Sequence, residues 1–168
     1  MSIMIRNELP KDIEAIEVLT ETAFLNAPHT SNTERYIINA LRNADALSVS
    51  LVAEESEVVI GHVAASPITI SDGSAGWYGL GPISVIPDRQ GQGLGAQLME
   101  NALEALKELG AKGCVLLGDP NYYCRFGFKP ESELVLPDVP SEYFQAISFC
   151  GMSPVGIVTY HEAFNASF

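Results

Sequence analysis

The densest chemistry in the chain lies in Gln90-Gly91-Gln92-Gly93-Leu94-Gly95-Ala96, where three glycines fall within five positions. The segment separates an apolar run at 80–86 from an amphipathic run that ends near Gly110. Glycine adopts positive φ at no steric cost and lets a ligand approach the backbone closely. The first amides of the helix that follows have no intrahelical acceptor and carry partial positive charge, so an anion such as phosphate is their natural guest. A second concentration, Asp119-Pro120-Asn121-Tyr122-Tyr123-Cys124-Arg125-Phe126-Gly127, brings phenols, a thiol and a guanidinium together. His62 alternates with Ala64 and Ser66 along one face of an apolar run, where it reads either as a base or ligand or as a structural histidine.

Two motif readings of the glycine loop fail on their context. Gly91-x-Gly93-x-x-Ala96 matches the dinucleotide fingerprint, but Pro87-Asp88-Arg89-Gln90 intervenes between strand and loop, and hairpins rather than helices join the strands before it. Asp119 also stands farther on than the usual spacing of about 20 residues. No Gly-Lys-Ser/Thr follows, which excludes a Walker loop.

The elements that must position these groups follow from periodicity. Residues 3–7 read as a strand, and Pro10 opens a helix carrying Ile13, Ile16, Val18, Leu19, Ala23 and Phe24. Pro28-His29-Thr30 breaks it, and Ser31-Asn32-Thr33-Glu34 has capping-box form for a second helix through Ile37, Ile38 and Leu41. Three strands joined by turns at 55–57 and 71–74 form a meander that delivers the chain to the loop. After the loop, Leu94, Leu98, Ala102, Ala105, Leu106 and Leu109 share one side of a long helix, and Gly110 stops it. Cys114-Val115-Leu116-Leu117 reads as a strand buried on both faces beside a parallel neighbour. Asp119 and Pro120 read as N-cap and first residue of a short helix that Gly127 ends. Pro130, Pro137 and Pro140 mark a loop, and 143–149 and 155–160 read as two last strands.

Composition narrows the partners. The chain has 168 residues, 47% hydrophobic and 18% charged, which suits a single globular domain over 1–168. Arg6, Asn7 and Glu8 interrupt the N-terminal apolar stretch, so it lacks the core of a signal peptide, and no run approaches the roughly 18 apolar residues of a membrane span. Cys114, Cys124 and Cys150 show neither CxxC spacing nor a nearby histidine, which argues against disulfides and zinc and for a reducing cytoplasm. A net charge of −12 without a basic run opposes nucleic acid and anionic membranes and favours a cationic or neutral partner.

In a different frame, Gln90-x-x-Gly93-x-Gly95 resembles the pyrophosphate-binding motif Q/R-x-x-G-x-G/A of the GNAT superfamily of acyl-CoA-dependent N-acetyltransferases. The order of elements, with the last two strands taken as a final hairpin, is similar to GNAT topology over nearly the whole chain. Leu80-Gly81-Pro82-Ile83-Ser84-Val85-Ile86-Pro87, Tyr122-Tyr123-Cys124-Arg125-Phe126-Gly127-Phe128 and Tyr160-His161-Glu162-Ala163-Phe164 look like a bacterial subfamily, the YhbS-like acetyltransferases. The resemblance implies an α/β (α+β) single-domain fold, a mixed, mostly antiparallel sheet of about 7 strands flanked by about 4 helices. It implies acetyl-CoA as co-substrate and no metal. The backbone of Ser84 and Val85 would pair with the pantetheine arm where the strand at 77–86 and the strand at 114–117 splay apart. Gln90, Gly91, Gln92, Gly93, Leu94, Gly95 and Ala96 would hold the pyrophosphate, with Asn121 and Arg125 as further phosphate contacts or structural caps.

Tyr123 matches the family tyrosine that protonates the leaving thiolate, which a phenol of pKa about 10 can do for a thiol of pKa about 8.5. The glutamate that many members carry on the strand before the loop is missing from 77–86, so the base lies elsewhere, in a water chain, or in no dedicated side chain. Asp119 is read as a cap and not that base, and Cys124 lacks the partners of a nucleophile. The implied activity is acetyl transfer from acetyl-CoA to a primary amine, by direct attack in a ternary complex. The acceptor is a small-molecule or peptide amine, with Phe24, His29, Tyr36 and Trp77 as candidate lining; a homodimer is compatible. Alternatives are a non-catalytic acyl-CoA sensor and an aminoacyl-tRNA-acetylating toxin, which the acidic balance disfavours.

Overall fold

The computed structural model describes residues 2–25 and 33–166. Strand β1 (Ile3–Asn7) pairs antiparallel with β2 (Val49–Glu55), and the helices α1 (Ile13–Phe24) and α2 (Glu34–Asn43) fill the connection between them. β2, β3 (Val58–Ile70) and β4 (Trp77–Val85) form the expected antiparallel meander. The turn between β3 and β4 closes on Gly73 at φ +86°, with Asp72 Oδ1 accepting from the Ser74 amide at 2.8 Å. Helix α3 (Leu94–Glu108) crosses over to β5 (Gly113–Leu117), which lies parallel to β4 as its apolar run predicts. Helix α4 (Pro120–Tyr123) and the short strands β6 (Lys129–Pro130) and β7 (Leu134–Val135) follow, then β8 (Phe144–Ser148) and β9 (Gly156–Tyr160). Seven of these strands have five or more residues; the two-residue pieces β6 and β7 lie in the proline-marked segment read as loop.

The sheet runs β1-β2-β3-β4-β5-β8-β6. The last two long strands do not pair as a hairpin. β8 adds antiparallel to β5, whereas β9 pairs with Ile68–Ile70 of β3. β2 begins at Val49 opposite Ala65, so the outer end of the 13-residue β3 keeps a free edge that β9 takes.

One face of the sheet packs on α3 through Leu94, Leu98, Met99, Ala102, Leu103 and Leu106. Leu109, expected on that side, is 54% exposed, because the helix ends before it and Gly110 at φ +83° turns the chain away. The opposite face is covered by α1 and α2, with Ile16, Ile38 and Val52 forming one cluster there. α2 begins at Glu34 with Thr33 as N-cap, so Glu34 is the first helical residue and not the third of a capping box; Ser31 and Asn32 lie outside the described residues. Arg6 clamps the N-terminal elements, bonding Asp12 at 2.7 Å and Glu54 at 2.8 Å.

Candidate active site

The site begins where β4 and β5 part. They pair only at Trp77↔Gly113, Tyr78↔Cys114 and Gly79↔Val115. Beyond these, Leu116 and Leu117 pair with β8 alone, and the edge of β4 from Leu80 to Val85 faces no strand on the β5 side. A cis peptide at Gly81-Pro82 and a register shift opposite, between Val63 and Ala65, accompany the divergence. The backbone of Ser84 and Val85 therefore lies along an edge that an extended ligand could join as a strand. Ser84 itself is buried and Val85 half-buried.

The glycine loop closes the end of this opening. Pro87–Arg89 makes one 3-10 turn, Gly91 and Gly93 take φ +77° and +84°, and Gly93 is the N-cap of α3 with no side chain bonded to the helix end. Intrahelical bonding begins with the Gln97 amide on the Gly93 carbonyl at 3.1 Å, which leaves the amides of Leu94, Gly95 and Ala96 for an external acceptor. Gln90, Gly91 and Gln92 are exposed. Side chains brace the loop instead of filling it: Gln90 Nε2 donates to the Val85 carbonyl at 3.0 Å, and Gln92 Nε2 to that of Asp88 at 3.3 Å. Arg89 pairs with Glu55 at the β2–β3 turn, and its guanidinium holds the Glu55 carboxyl below the usual range. That anchor joins residues 34 positions apart, and nothing in the local pattern announces it.

Helix α4 forms the other wall. Asp119 caps it as expected, its Oδ1 accepting from the Asn121 amide at 2.9 Å. The Tyr123 ring lies over Gly118, where an added Cβ would stand 2.2 Å from the ring. Gly118 directly follows β5, so Tyr123 sits at the splayed end of that strand, wedged edge-on against Phe128 and Tyr122. Burial, with smaller contributions from Tyr122 and Asp119, raises the Tyr123 phenol above its ordinary pKa, so it stays protonated and able to donate. Tyr122 reaches back across the opening: a Cβ on Gly95 would lie 3.8 Å from its hydroxyl. Gly118 is the site residue that sequence reading passed over; its only local signal is its place between the strand and the cap.

The remaining candidates separate. Arg125 stacks 4.2 Å over the Tyr122 ring and donates to the Tyr122 carbonyl at 2.9 Å, acting as a brace for α4. Asn121 is exposed. Trp77 is 3% exposed, packed in the core with Val115 and Phe144. Phe24 and Tyr36 are half-buried on α1 and α2, and His29 lies outside the described residues. His62 is fully buried and bonded through Nε2 to Ser50 Oγ at 2.8 Å. A cleft of about 590 Å³ lies apart from the opening, between α1 and the start of β3, and meets this region only at Ile86. Among the described residues no group of side chains is arranged to hold a metal ion.

A mixed sheet whose parallel central strands part beside a glycine-capped helix defines an acyltransferase of the GNAT type. Residues 13–128 match the Acetyltransferase (GNAT) family, and the chain belongs to that family. It is 35% identical to the uncharacterized N-acetyltransferase YhbS of Escherichia coli K12 over 170 residues, 97% of this chain and 99% of that one. A GNAT family acetyltransferase from Brucella melitensis, solved with acetyl-CoA, is 47% identical, with a TM-score of 0.87 over 97% of this chain and 98% of the other. Escherichia coli YhbS solved with CoA is 34% identical, with a TM-score of 0.88 over 98% and 92%.

Proposed function

We propose that the whole chain, 1–168, is one GNAT domain that transfers the acetyl group of acetyl-CoA to a primary amine by direct attack in a ternary complex. The observation that carries this reading is the opening between β4 and β5, with the α3 N-terminal amides, which have no intrahelical acceptor, at one end and a protonated, half-buried Tyr123 at the other. The amides of Gly91, Gly93, Leu94, Gly95 and Ala96 take the pyrophosphate, with Gln90 and Gln92 shaping the loop. The pantetheine arm adds to β4 at Ser84 and Val85. A backbone amide near Val85 polarises the thioester carbonyl, the neutral amine attacks, and the intermediate collapses with Tyr123 donating its proton to the departing sulfur. The CoA complexes of the Brucella and Escherichia relatives support acetyl-CoA as co-substrate. The acceptor is a small-molecule or peptide amine, met in the cytoplasm.

The test is paired. Calorimetry with acetyl-CoA, followed by thiol titration of released CoA on spermidine, cadaverine, tryptamine and lysine amide, should show binding and amine-dependent turnover. Tyr123→Phe should lower kcat roughly 10- to 1000-fold with acetyl-CoA affinity retained; unchanged turnover removes Tyr123 from the acid's role. One observation favours a second reading, a non-catalytic acyl-CoA sensor: β4 carries no carboxylate. Binding without turnover would favour it.

A further inference from the structure

On the face of the sheet beneath α1 and α2, a line of hydrogen bonds runs inward from the surface. The Arg42 guanidinium donates twice to Glu8, at 2.8 Å each, and once to Asn39 Oδ1 at 2.8 Å, while Asn39 donates to Glu17 at 3.2 Å. Ser50 Oγ lies 2.5 Å from Glu8 Oε1 and 2.8 Å from His62 Nε2. The directions follow from donor arithmetic. Glu8, held below the usual carboxyl range because the Arg42 and Ser50 bonds outweigh its burial, is a carboxylate and only accepts. Ser50 has one proton and gives it to Glu8, so it accepts from His62 Nε2–H. That fixes the tautomer and leaves Nδ1 with a free lone pair.

Nδ1 is buried and has no protein partner, and neither do Ser84 Oγ and Ser66 Oγ. His62 and Ser84 face each other in the β3–β4 register, whereas Ser66 stands four residues farther along β3, opposite Gly79. Val85, next to Ser84, packs on the α3 side, so Ser84 points to the opposite face with His62. Two orphaned polar atoms facing each other across one strand pair, His62 Nδ1 and Ser84 Oγ, are more than a core tolerates without purpose. The patch adjoins the stretch of β4 whose backbone runs along the opening.

We propose that His62, oriented by Glu8 and Ser50, takes the proton of the acceptor ammonium at Nδ1 through a water held by Ser84. This rests on the acetyl-transfer reading above and supplies the base that β4 itself lacks. The ammonium gives one proton through the water to Nδ1. The imidazolium keeps its Nε2–H on Ser50, whose hydroxyl remains on the Glu8 carboxylate, and gives the Nδ1 proton back through the water to solvent as product leaves, which restores the starting tautomer. The neutral amine attacks the carbonyl carbon, the C–S bond breaks, and the second nitrogen proton ends on sulfur by way of Tyr123. Acetamide, free CoA and one released proton balance the reaction. His62 acts through water and is a positioning residue.

The other charged groups around His62 are accounted for. Burial has the largest effect and lowers the His62 pKa to about 4, Glu8 acts to raise it and Arg42 to lower it, so the ring is neutral at rest and releases a transferred proton readily. Glu17 on α1 is tied through Asn39, Glu54 is paired with Arg6 and Glu55 with Arg89, Tyr78 packs on the α3 side, and Tyr160 of β9 lies against Gly79.

The test compares wild type with His62→Gln, Ser50→Ala and Ser84→Ala on the amine panel above, across pH 6 to 10. Thermal melts and acetyl-CoA affinity serve as controls. His62→Gln should lower kcat/KM for the amine roughly 100-fold at neutral pH, and the loss should shrink as pH approaches the amine's own pKa of about 10. Ser50→Ala and Ser84→Ala should show the same alkaline recovery with smaller losses, which keeps the test open if His62→Gln does not fold. Nitrogen-15 spectra of the wild type with CoA should show His62 as the neutral Nε2–H tautomer. Wild-type pH profiles in the serine variants, or an Nδ1–H tautomer, overturn the relay alone. Acetyl-CoA binding without wild-type turnover on any amine overturns the transfer reading, and the relay with it.

Discussion

At the scale of the residue, Gly118 and Tyr123 form one unit. Gly118→Ala puts a methyl 2.2 Å from the Tyr123 ring, and the ring must leave its place between Phe128 and Tyr122. The expected result is a loss of turnover comparable to that of Tyr123→Phe, together with a destabilisation of about 1 to 3 kcal/mol from overpacking, read by CoA release and thermal melting. Gly93→Ala should act differently. Its φ of +84° costs a Cβ-bearing residue roughly 1 to 2 kcal/mol, and nothing within 4 Å resists the methyl itself, so the penalty is conformational. Acetyl-CoA affinity measured by calorimetry should fall with it, because that geometry aims the amides. His62 has a consequence for stability as well. Burial lowers its pKa from 6.5 to about 4, so between those values the unfolded chain holds a proton that the folded one does not. Stability therefore rises with pH through that window and is lost on acidification, with a slope approaching 1.4 kcal/mol per pH unit. Urea melts of His62→Gln between pH 4 and 6.5 should show that slope reduced; an unchanged slope assigns it to other groups.

At the scale of the element, the clamp on β1 sets how the N-terminal helices sit on the sheet. Asp12 is 3% exposed and accepts from Arg6 and from the Leu9 amide. Arg6 contributes most to holding its carboxyl below the usual range. A carboxyl with a lowered folded pKa adds stability that is present above its unfolded value near 3.9 and lost as pH falls toward the folded value. Arg6→Met should cost roughly 2 to 4 kcal/mol at neutral pH by leaving Asp12 buried and unpaired, and the deficit should narrow in denaturant melts as pH falls below about 4, because the variant's Asp12, without its guanidinium, takes up a proton before the wild type's does. Helix α3 carries the larger share of the core. Leu98 is fully buried against Gly61, so Leu98→Ala belongs in the range of about 2 to 5 kcal/mol.

At the scale of the whole molecule, the net charge of −12 opposes the anionic cofactor that the backbone amides attract. The two effects have different reach. Amides act at contact, whereas the summed charge acts across the Debye length, about 30 Å at 0.01 M salt and about 8 Å at 0.15 M. The association rate for acetyl-CoA, measured by stopped flow, should therefore rise as salt is added over that range. A falling rate would point to a local cationic funnel that outweighs the global charge.

Much of this was legible in the chain because it is encoded locally. Glycines at 91, 93 and 95 ahead of an amphipathic run announce an anion-binding helix end, Asp119-Pro120 announces the cap, and alternation announces the meander; each depends on neighbours a few positions away. Other features depend on partners distant in sequence and could be decided only by folding. β9 left β8 for the free end of β3 because the lengths of β2 and β3 differ. The pairing of Arg89 with Glu55, the ring of Tyr123 over Gly118 and the line from Arg42 to His62 appear only once separate elements pack. The sequence by itself determined that this protein closes a glycine-capped helix end behind a three-strand meander, because backbone conformation and amide polarity are local properties. Tertiary structure decided where β4 and β5 separate and which buried groups face one another there, because edges and orphaned polar atoms exist only relative to what is packed against them.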